Sequence, residues 1–225
     1  MAAGGYAYAA QWPGSKIFGE ALIAPKTPGE AALTFDDGPN PLWTPRLLDL
    51  LAHYNVQATF FMMGSHAQSV PDLVRRVAAA GHLIGSHSWS HPNLAYTRAG
   101  RVREELARSK DAIQQITGAP VTFFRPPFGA RRPYVLRAAR EQGLTPVLWN
   151  AMTTDWKEPS AEKIAARLMR KIDRLGQRGW AANIVLHDGN NLDPVADRRA
   201  SATAAEILLL HYAKTRRFVT LSEWR

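Results

Sequence analysis

"AALTFDDGPNP", residues 31–41, decides the fold. A short apolar run, broken by one threonine, ends in two adjacent carboxylates, and Gly-Pro follows at once. The run reads as a buried strand with its charge gathered at the C-terminal end. Short apolar runs recur in "ATFFMMG" (58–64), "HLIGSH" (82–87), "VTFFRPPFG" (121–129), "LTPVLWNAM" (144–152) and "ANIVLHD" (182–188), several with a charged or titratable residue at or near the end, and "RFVTLSEW" (217–224) closes the series. Amphipathic segments between them predict helices over 41–55, 70–81, 97–118, 132–143, 160–176 and 197–215, with Ser160 as an N-cap. Regular alternation implies parallel strands with helices outside. A doubly wound sheet and a closed barrel both satisfy that. Asp36, Asp37, His87, Arg125, Asp155, His187 and Asp188 all stand at or just past strand ends. A barrel gathers such ends around one mouth, whereas an open sheet spreads them along an edge. The expectation is a distorted α/β barrel, TIM-like but incomplete, with about seven parallel strands. Residues 31–225 form one domain, and 1–30 are an extension packing on it or leading into it.

Composition narrows the chemistry. The 225 residues are 46% hydrophobic, enough for a sizeable core without covalent staples. Cysteine is absent, which excludes disulfides, thiolate metal sites and cysteine nucleophiles together. The formal charge is +9 and the isoelectric point about 10.2. Such a balance can steer a protein toward anionic polymers. The basic residues are nonetheless scattered in local pairs such as "RRVAAAG" and "ARRPYVLRAAR". Nucleic-acid binding calls for clustered arginines with interleaved aromatics, so none is expected. No apolar stretch is long enough to span a bilayer, and no basic start with a long apolar core marks a signal peptide. Localisation stays open between cytoplasmic and exported with the leader removed.

The polar strand ends supply candidate site residues. In "HSWSHP" (87–92), His87 and His91 are four apart, the spacing that puts two imidazoles on one face of a helical turn. Pro92 then breaks that turn. Two carboxylates at the end of an apolar run are costly unless a cation neutralises them. One aspartate with the two histidines makes a three-ligand set of catalytic-zinc type, leaving the second aspartate to take a proton from water. Arg125, in "RPPFG" (125–129), can pair with a carboxylate in the mouth. In "TTDW" (153–156), Asp155 either orients a partner or caps a turn, and Trp156 is either core or an apolar wall. His187, in "LHDG" (186–189), titrates near neutrality and suits proton donation to a leaving group. His53, His66, His82 and His211 are assigned to packing or surface.

Taken in order, "TFDDGP", "HSWSHP", "RPPFG", "DW" and "LHDG" resemble the five motifs of the polysaccharide deacetylases, carbohydrate esterase family 4 with its NodB-type homology domain, across roughly residues 31–225. The resemblance implies a metal-dependent hydrolase that removes N-acetyl groups from an N-acetylglucosamine-containing glycan such as peptidoglycan or chitin oligomers. It implies Asp36 as general base, with Asp37, His87 and His91 as ligands of a divalent metal, zinc first and cobalt, nickel or manganese also acceptable. Arg125 would orient Asp36, His187 would be the general acid, and Asp155 would support it. Pro127, Phe128, Trp156 and Leu186 would contact substrate, with the Phe128 N–H turned toward the oxyanion and Leu186 beside the acetyl methyl. One departure stands out: the family's fourth motif often reads Asp-x-x-Asp-Trp, and Met152 holds its first acidic place here. Hydrolysis of O-acetyl esters or of cyclic amides on the same barrel is the alternative. A non-catalytic carbohydrate-binding barrel is disfavoured, because the ligand set and Asp36 are all present.

Overall fold

The structure, a computed structural model, describes Gly5 and residues 9–225. The central strands are β1 (Glu30–Asp36), β2 (Thr59–Met62), β3 (Leu83–Ser86) and β4 (Phe123–Phe124). They are followed by β5 (Thr145–Pro146), β6 (Ala151–Met152), β7 (Ala182–His187) and β8 (Arg217–Phe218). Every pairing is parallel, and the order is β5-β4-β3-β2-β1-β7-β6, with β8 joining the start of β1. The sheet curls into the expected barrel. The single strand predicted over 144–152 is two pieces, because its first half pairs with β4 and its second half with β7. Among the described residues no ladder closes that seam. Leu22 bridges to Val147, and the Asn183 side chain donates to the carbonyls of Ile23 and Leu148.

The helices are α1 (Thr44–His53), α2 (Gly64–Ser69), α3 (Pro71–Ala79), α4 (Ala99–Thr117), α5 (Pro133–Glu141), α6 (Ala161–Gln177) and α7 (Arg199–Tyr212). All but α2 follow predicted segments. Ser160 caps α6, its hydroxyl accepting from the Lys163 N–H, and Gly118 ends α4 in the left-handed region. Strand periodicity then sorts the core into two layers. Leu33 and Phe35 of β1 face the helices together with Phe60, Ile184 and Leu186. Ala32, Phe61, Phe123 and Val147 point into the barrel. Thr34, Asp36 and Asn183 alternate with the helix-facing residues of β1 and β7, so the interior becomes polar toward its mouth.

Arg131 ties the segment before β1 to the loop after β4. It is fully buried and donates to the carbonyls of Ala10, Trp12, Ser15 and Gly129. Among the described residues, no helix is long and apolar enough to cross a membrane.

Candidate active site

Asp36 ends β1 with its side chain inside the barrel. Its Oδ1 accepts from Arg125 Nη1 at 2.7 Å. The same Nη1 donates to Thr34 Oγ1 at 2.7 Å, and Nη2 donates to Asn183 Oδ1 at 3.1 Å. The guanidinium also lies 4.1 Å from the Phe61 ring centroid. Arg125 is wholly buried. That burial pulls its pKa down, and the Asp36 carboxylate acts against the fall. A buried pair of this kind needs further partners, and Thr34 and Asn183 supply them at Nη1 and Nη2, while Nε has none.

One residue on, the chain turns. Asp37 adopts φ 71°, which swings its carboxylate away from Asp36 toward the histidines. Its Oδ1 lies 3.3 Å from His87 Nε2 and 3.2 Å from His91 Nε2. His87 Nδ1 stands 2.8 Å from the Arg125 carbonyl, which can only accept, so the ring proton is on Nδ1 and Nε2 presents a lone pair. Asp37 Oδ1 has no partner with hydrogen-bond geometry, although it is buried. A buried carboxylate oxygen facing two imidazole nitrogens at this range, without hydrogen-bond geometry to either, fits a cation. Burial works to raise the Asp37 carboxyl, but the two imidazoles and the charge of His187 outweigh it and hold it well below the ordinary range.

The two histidines meet, with ring centroids 5.0 Å apart, but not on a helical turn as their spacing predicts. Ser88 and His91 both take positive φ, at 68° and 59°, and the loop is irregular. Its shape comes from outside. Glu105 on α4, 1% exposed, accepts from the N–H groups of Trp89 and Ser90 at 3.0 and 2.8 Å and from Ser90 Oγ at 2.8 Å. It also pairs with Arg101 at 2.7 Å. The first amides of α2, those of Gly64 and Ser65, donate to the carbonyls of Ser88 and Trp89. His66, on that same helix, donates to the Asp37 carbonyl.

His187 ends β7, beside Asp36 in register. Asp155 holds it twice: Oδ1 accepts from Nδ1 at 2.9 Å and Oδ2 from the backbone N–H at 2.8 Å. Ser201 Oγ completes the network, donating to Asp155 Oδ2 at 2.7 Å. Burial would lower the His187 pKa, but Asp155, with the charges of Asp37 and Asp36 behind it, raises it to about 9. The imidazole is therefore protonated at neutral pH. Trp156 stands edge-on to it, centroids 4.8 Å apart. Next to His187, Asp188 is raised to about 7 by burial, its carboxylate accepting from Thr44 Oγ1 and packing against Gly38, where a Cβ would collide with it.

These residues line one cleft of about 310 Å³, with Asp36, Asp37, His87, His91 and His187 on its floor and Phe128, Trp149 and Trp156 among its walls. Phe128 takes φ 58°, and its ring meets His91 edge-on at 4.6 Å. Two residues expected to contact substrate are set back from the cleft. Leu186 faces the helices, because His187 next to it points into the barrel and strand side chains alternate. Pro127 is buried behind Pro126, which lines the cleft in its place. Glu105, Asn183, Thr34, Ser201 and Trp149 are the contributors that the sequence reading missed.

The fold and the ligand cluster place the chain among α/β barrels with a candidate metal centre at the strand ends. The comparisons narrow this. The polysaccharide deacetylase family model matches residues 24–147, more than half of the chain, and the chain belongs to that family. It is 40% identical over 149 residues to a peptidoglycan-N-acetylglucosamine deacetylase of Bacillus cereus, covering 66% of this chain and 54% of that protein's length. It is 36% identical to a chitooligosaccharide deacetylase of Rhizobium leguminosarum bv. trifolii, covering 80% of this chain and 84% of the relative. Among solved structures, a peptidoglycan N-acetylglucosamine deacetylase in complex with 4-naphthalen-1-yl-N-oxidanyl-benzamide superposes with a TM-score of 0.80 at 34% identity, over 90% of this chain and 91% of that one. A family 4 acetyl xylan esterase from Clostridium thermocellum, in complex with a cobalt ion, gives 0.75 at 31% identity over 86% and 89%.

Proposed function

We propose that this chain is a metal-dependent deacetylase that hydrolyses the N-acetyl amide of N-acetylglucosamine units in a glycan, releasing acetate and a free amine. The observation that carries the reading is one cleft holding both a cation-shaped Asp37–His87–His91 cluster and an imidazole kept protonated by Asp155. An amide needs both: help for the nucleophile, and a proton for a nitrogen that leaves poorly. The names of the Bacillus and Rhizobium relatives support the substrate class.

A divalent cation on Asp37, His87 and His91 would polarise the acetyl carbonyl and acidify a water beside it. Zinc suits a His₂Asp set best, with cobalt, nickel and manganese also compatible. The N-hydroxyamide and the cobalt ion in the two solved relatives support a metal there. Asp36 takes the proton of the attacking water, while Arg125 holds that carboxylate aimed at it. The Phe128 N–H donates to the carbonyl oxygen as negative charge grows on it. His187 delivers its proton to the amine nitrogen as the C–N bond breaks, and Asp155 fixes the tautomer that presents Nε2 to the cleft. Trp156 and the exposed Phe128 offer flat apolar walls to a sugar ring. Residues 31–225 would be the catalytic unit and 1–30 an extension packed on it, a division supported for the described residues by the Leu22 bridge and the Arg131 contacts.

The esterase relative favours a second reading, hydrolysis of O-acetyl groups on xylan, with the same residues. Acetate release from N-acetylglucosamine oligomers, peptidoglycan fragments and acetylated xylan separates the two. The deacetylase reading expects turnover of the N-acetylated glycans that a chelator abolishes and a divalent metal restores. Turnover of acetylated xylan alone would overturn it.

A further inference from the structure

A second cleft, of about 430 Å³, adjoins the first. Met152, Thr153 and Thr154 form one wall; Arg167, Arg170, Lys171 and Arg174 of α6 form the other. Met152 lines both clefts, so a single short segment separates them. No acid lines the second cleft. Glu158, outside the lining, pairs with Arg167 at 3.3 Å. Lys171 Nζ donates to the Met152 carbonyl, leaving Arg170 and Arg174 as the uncommitted cations of that wall. Lys163 extends the stripe along the same helix and Arg178 follows at its C-terminal cap, with the three- and four-residue spacing that keeps helical side chains on one face. In the opposite wall the Thr153 hydroxyl is buried and has no hydrogen-bond partner. With Arg167 paired to Glu158 and Lys171 held by the Met152 carbonyl, Arg170 and Arg174 face this wall with no acid among the lining residues, and like charges so placed repel one another unless an anion joins them.

We propose that this cleft binds an anionic substituent, carboxylate or phosphate, on a sugar flanking the acetamido sugar held in the first cleft. The inference rests on the deacetylase reading for its placement. A polymer chain lying across the Met152–Thr154 segment would present one sugar to each cleft. The charge of the second cleft then selects for acidic glycans over neutral ones of the same length, and steers them in at low ionic strength.

The test uses the full chain and the double variant Arg170→Glu/Arg174→Glu. Both positions are exposed, helix-compatible and outside the first cleft. Calorimetric titration compares a neutral N-acetylglucosamine tetramer, a tetramer carrying carboxylates on alternate sugars, and one carrying phosphodiesters. Acetate release is followed on the same compounds. The native protein should bind an anionic tetramer about tenfold more tightly than the neutral one, the reach of a few exposed charge contacts. High salt and the double variant should each erase that advantage and leave the neutral tetramer unchanged. Preference between the two anionic tetramers identifies the substituent. Equal binding of all three by the native protein, equal losses on all three in the variant, or stronger competition by single-stranded DNA than by either anionic glycan would overturn the proposal. Charge-dependent binding without acetate release from any tetramer would instead overturn the deacetylase reading and leave the anion cleft standing.

Discussion

Replacing Glu105 by alanine should weaken metal binding without touching any ligand. Glu105 lies on α4, yet it holds the loop from His87 to His91 through the N–H groups of Trp89 and Ser90 and the Ser90 hydroxyl. Trp89 is buried, so its amide would lose its partner without gaining water, at a cost of about 1–3 kcal/mol. Ser90 is exposed and rehydrates, which limits its share to about 1 kcal/mol. The Arg101 pair is half in solvent and adds little. A loop destabilised by about 3 kcal/mol no longer holds His91 at its strained φ, and the metal must supply that ordering from its own binding energy. The affinity should then fall by about a hundredfold. Competition against a chromophoric chelator, using metal-free protein, measures this directly, and circular dichroism confirms that the barrel persists. Glu105→Gln retains one acceptor oxygen and the shape and should lose about tenfold or less. It carries the test if the alanine variant does not fold. Metal affinity equal to that of the native protein in a folded Glu105→Ala variant would refute the reasoning.

His87→Ala and His91→Ala should each abolish stoichiometric metal binding while the fold persists, because both rings lie on loops at the barrel mouth; retained metal in the double variant would sink the ligand assignment. Asp36→Asn should bind metal and lose turnover, whereas Asp37→Asn should lose metal as well, with metal analysis and acetate release as the paired readouts. His187→Ala should slow amide cleavage by about 10²–10⁴-fold and harm an aryl acetate far less, since a phenoxide leaves without a proton; equal losses would make His187 a structural group. His187 is raised from its ordinary 6.5 to about 9, so as an acid it works below that value, and rates should fall as pH rises through it. The stabilisation it gives the fold has the same sign, complete below about 6.5 and lost through about 9. A cation on Asp37 cancels part of the charge that raises it, so imidazole NMR should show its pKa drop on metal loading.

Much of this site was legible because strands terminate on chemistry. An apolar run that ends in Asp-Asp, Arg or His needs a reason for charge at its edge, and a parallel barrel provides one mouth for all of them. The conformation between His87 and His91 was not legible: spacing of four suggests a helical turn, while the chain puts a serine and a histidine in the left-handed region, which few non-glycine residues enter. Leu186 faces the helices, and period two already sets it opposite His187. Glu105 was within reach too. Val102, Glu105, Leu106, Ser109 and Ile113 make the buried stripe of α4, so an acid lies where only apolar residues are expected. Asn183 carries a similar signal, an amide inside the apolar run of β7, and it both spans the seam of the barrel and holds Arg125. The division of 144–152 into two strands depends on a change of partner, which is a property of the whole barrel and leaves no mark on the local pattern.

The left-handed residues show what the fold sacrifices for this site. Five non-glycine residues among those described have positive φ. Asn55, just past the end of α1, is an ordinary case for its residue type. The other four are Asp37, Ser88, His91 and Phe128, all in the loops that build the cleft. Glycine would take each conformation without the cost of about 1–2 kcal/mol that a Cβ incurs. Glycine has no carboxylate, imidazole or aromatic ring, so at three of these four positions backbone preference and site chemistry conflict, and the chemistry prevails. The conflict is tolerable because neighbours determine the same shape: Glu105, Ser86 and the start of α2 hold the histidine loop, and Gly189 lets β7 approach the Asp37 carbonyl, where a Cβ would stand 2.0 Å away. A loop held only by its own sequence would relax out of these angles, and the three ligand atoms would separate. Strain at the candidate ligand positions Asp37 and His91, borne by residues with no other duty at the mouth, is the pattern expected of a preorganised site.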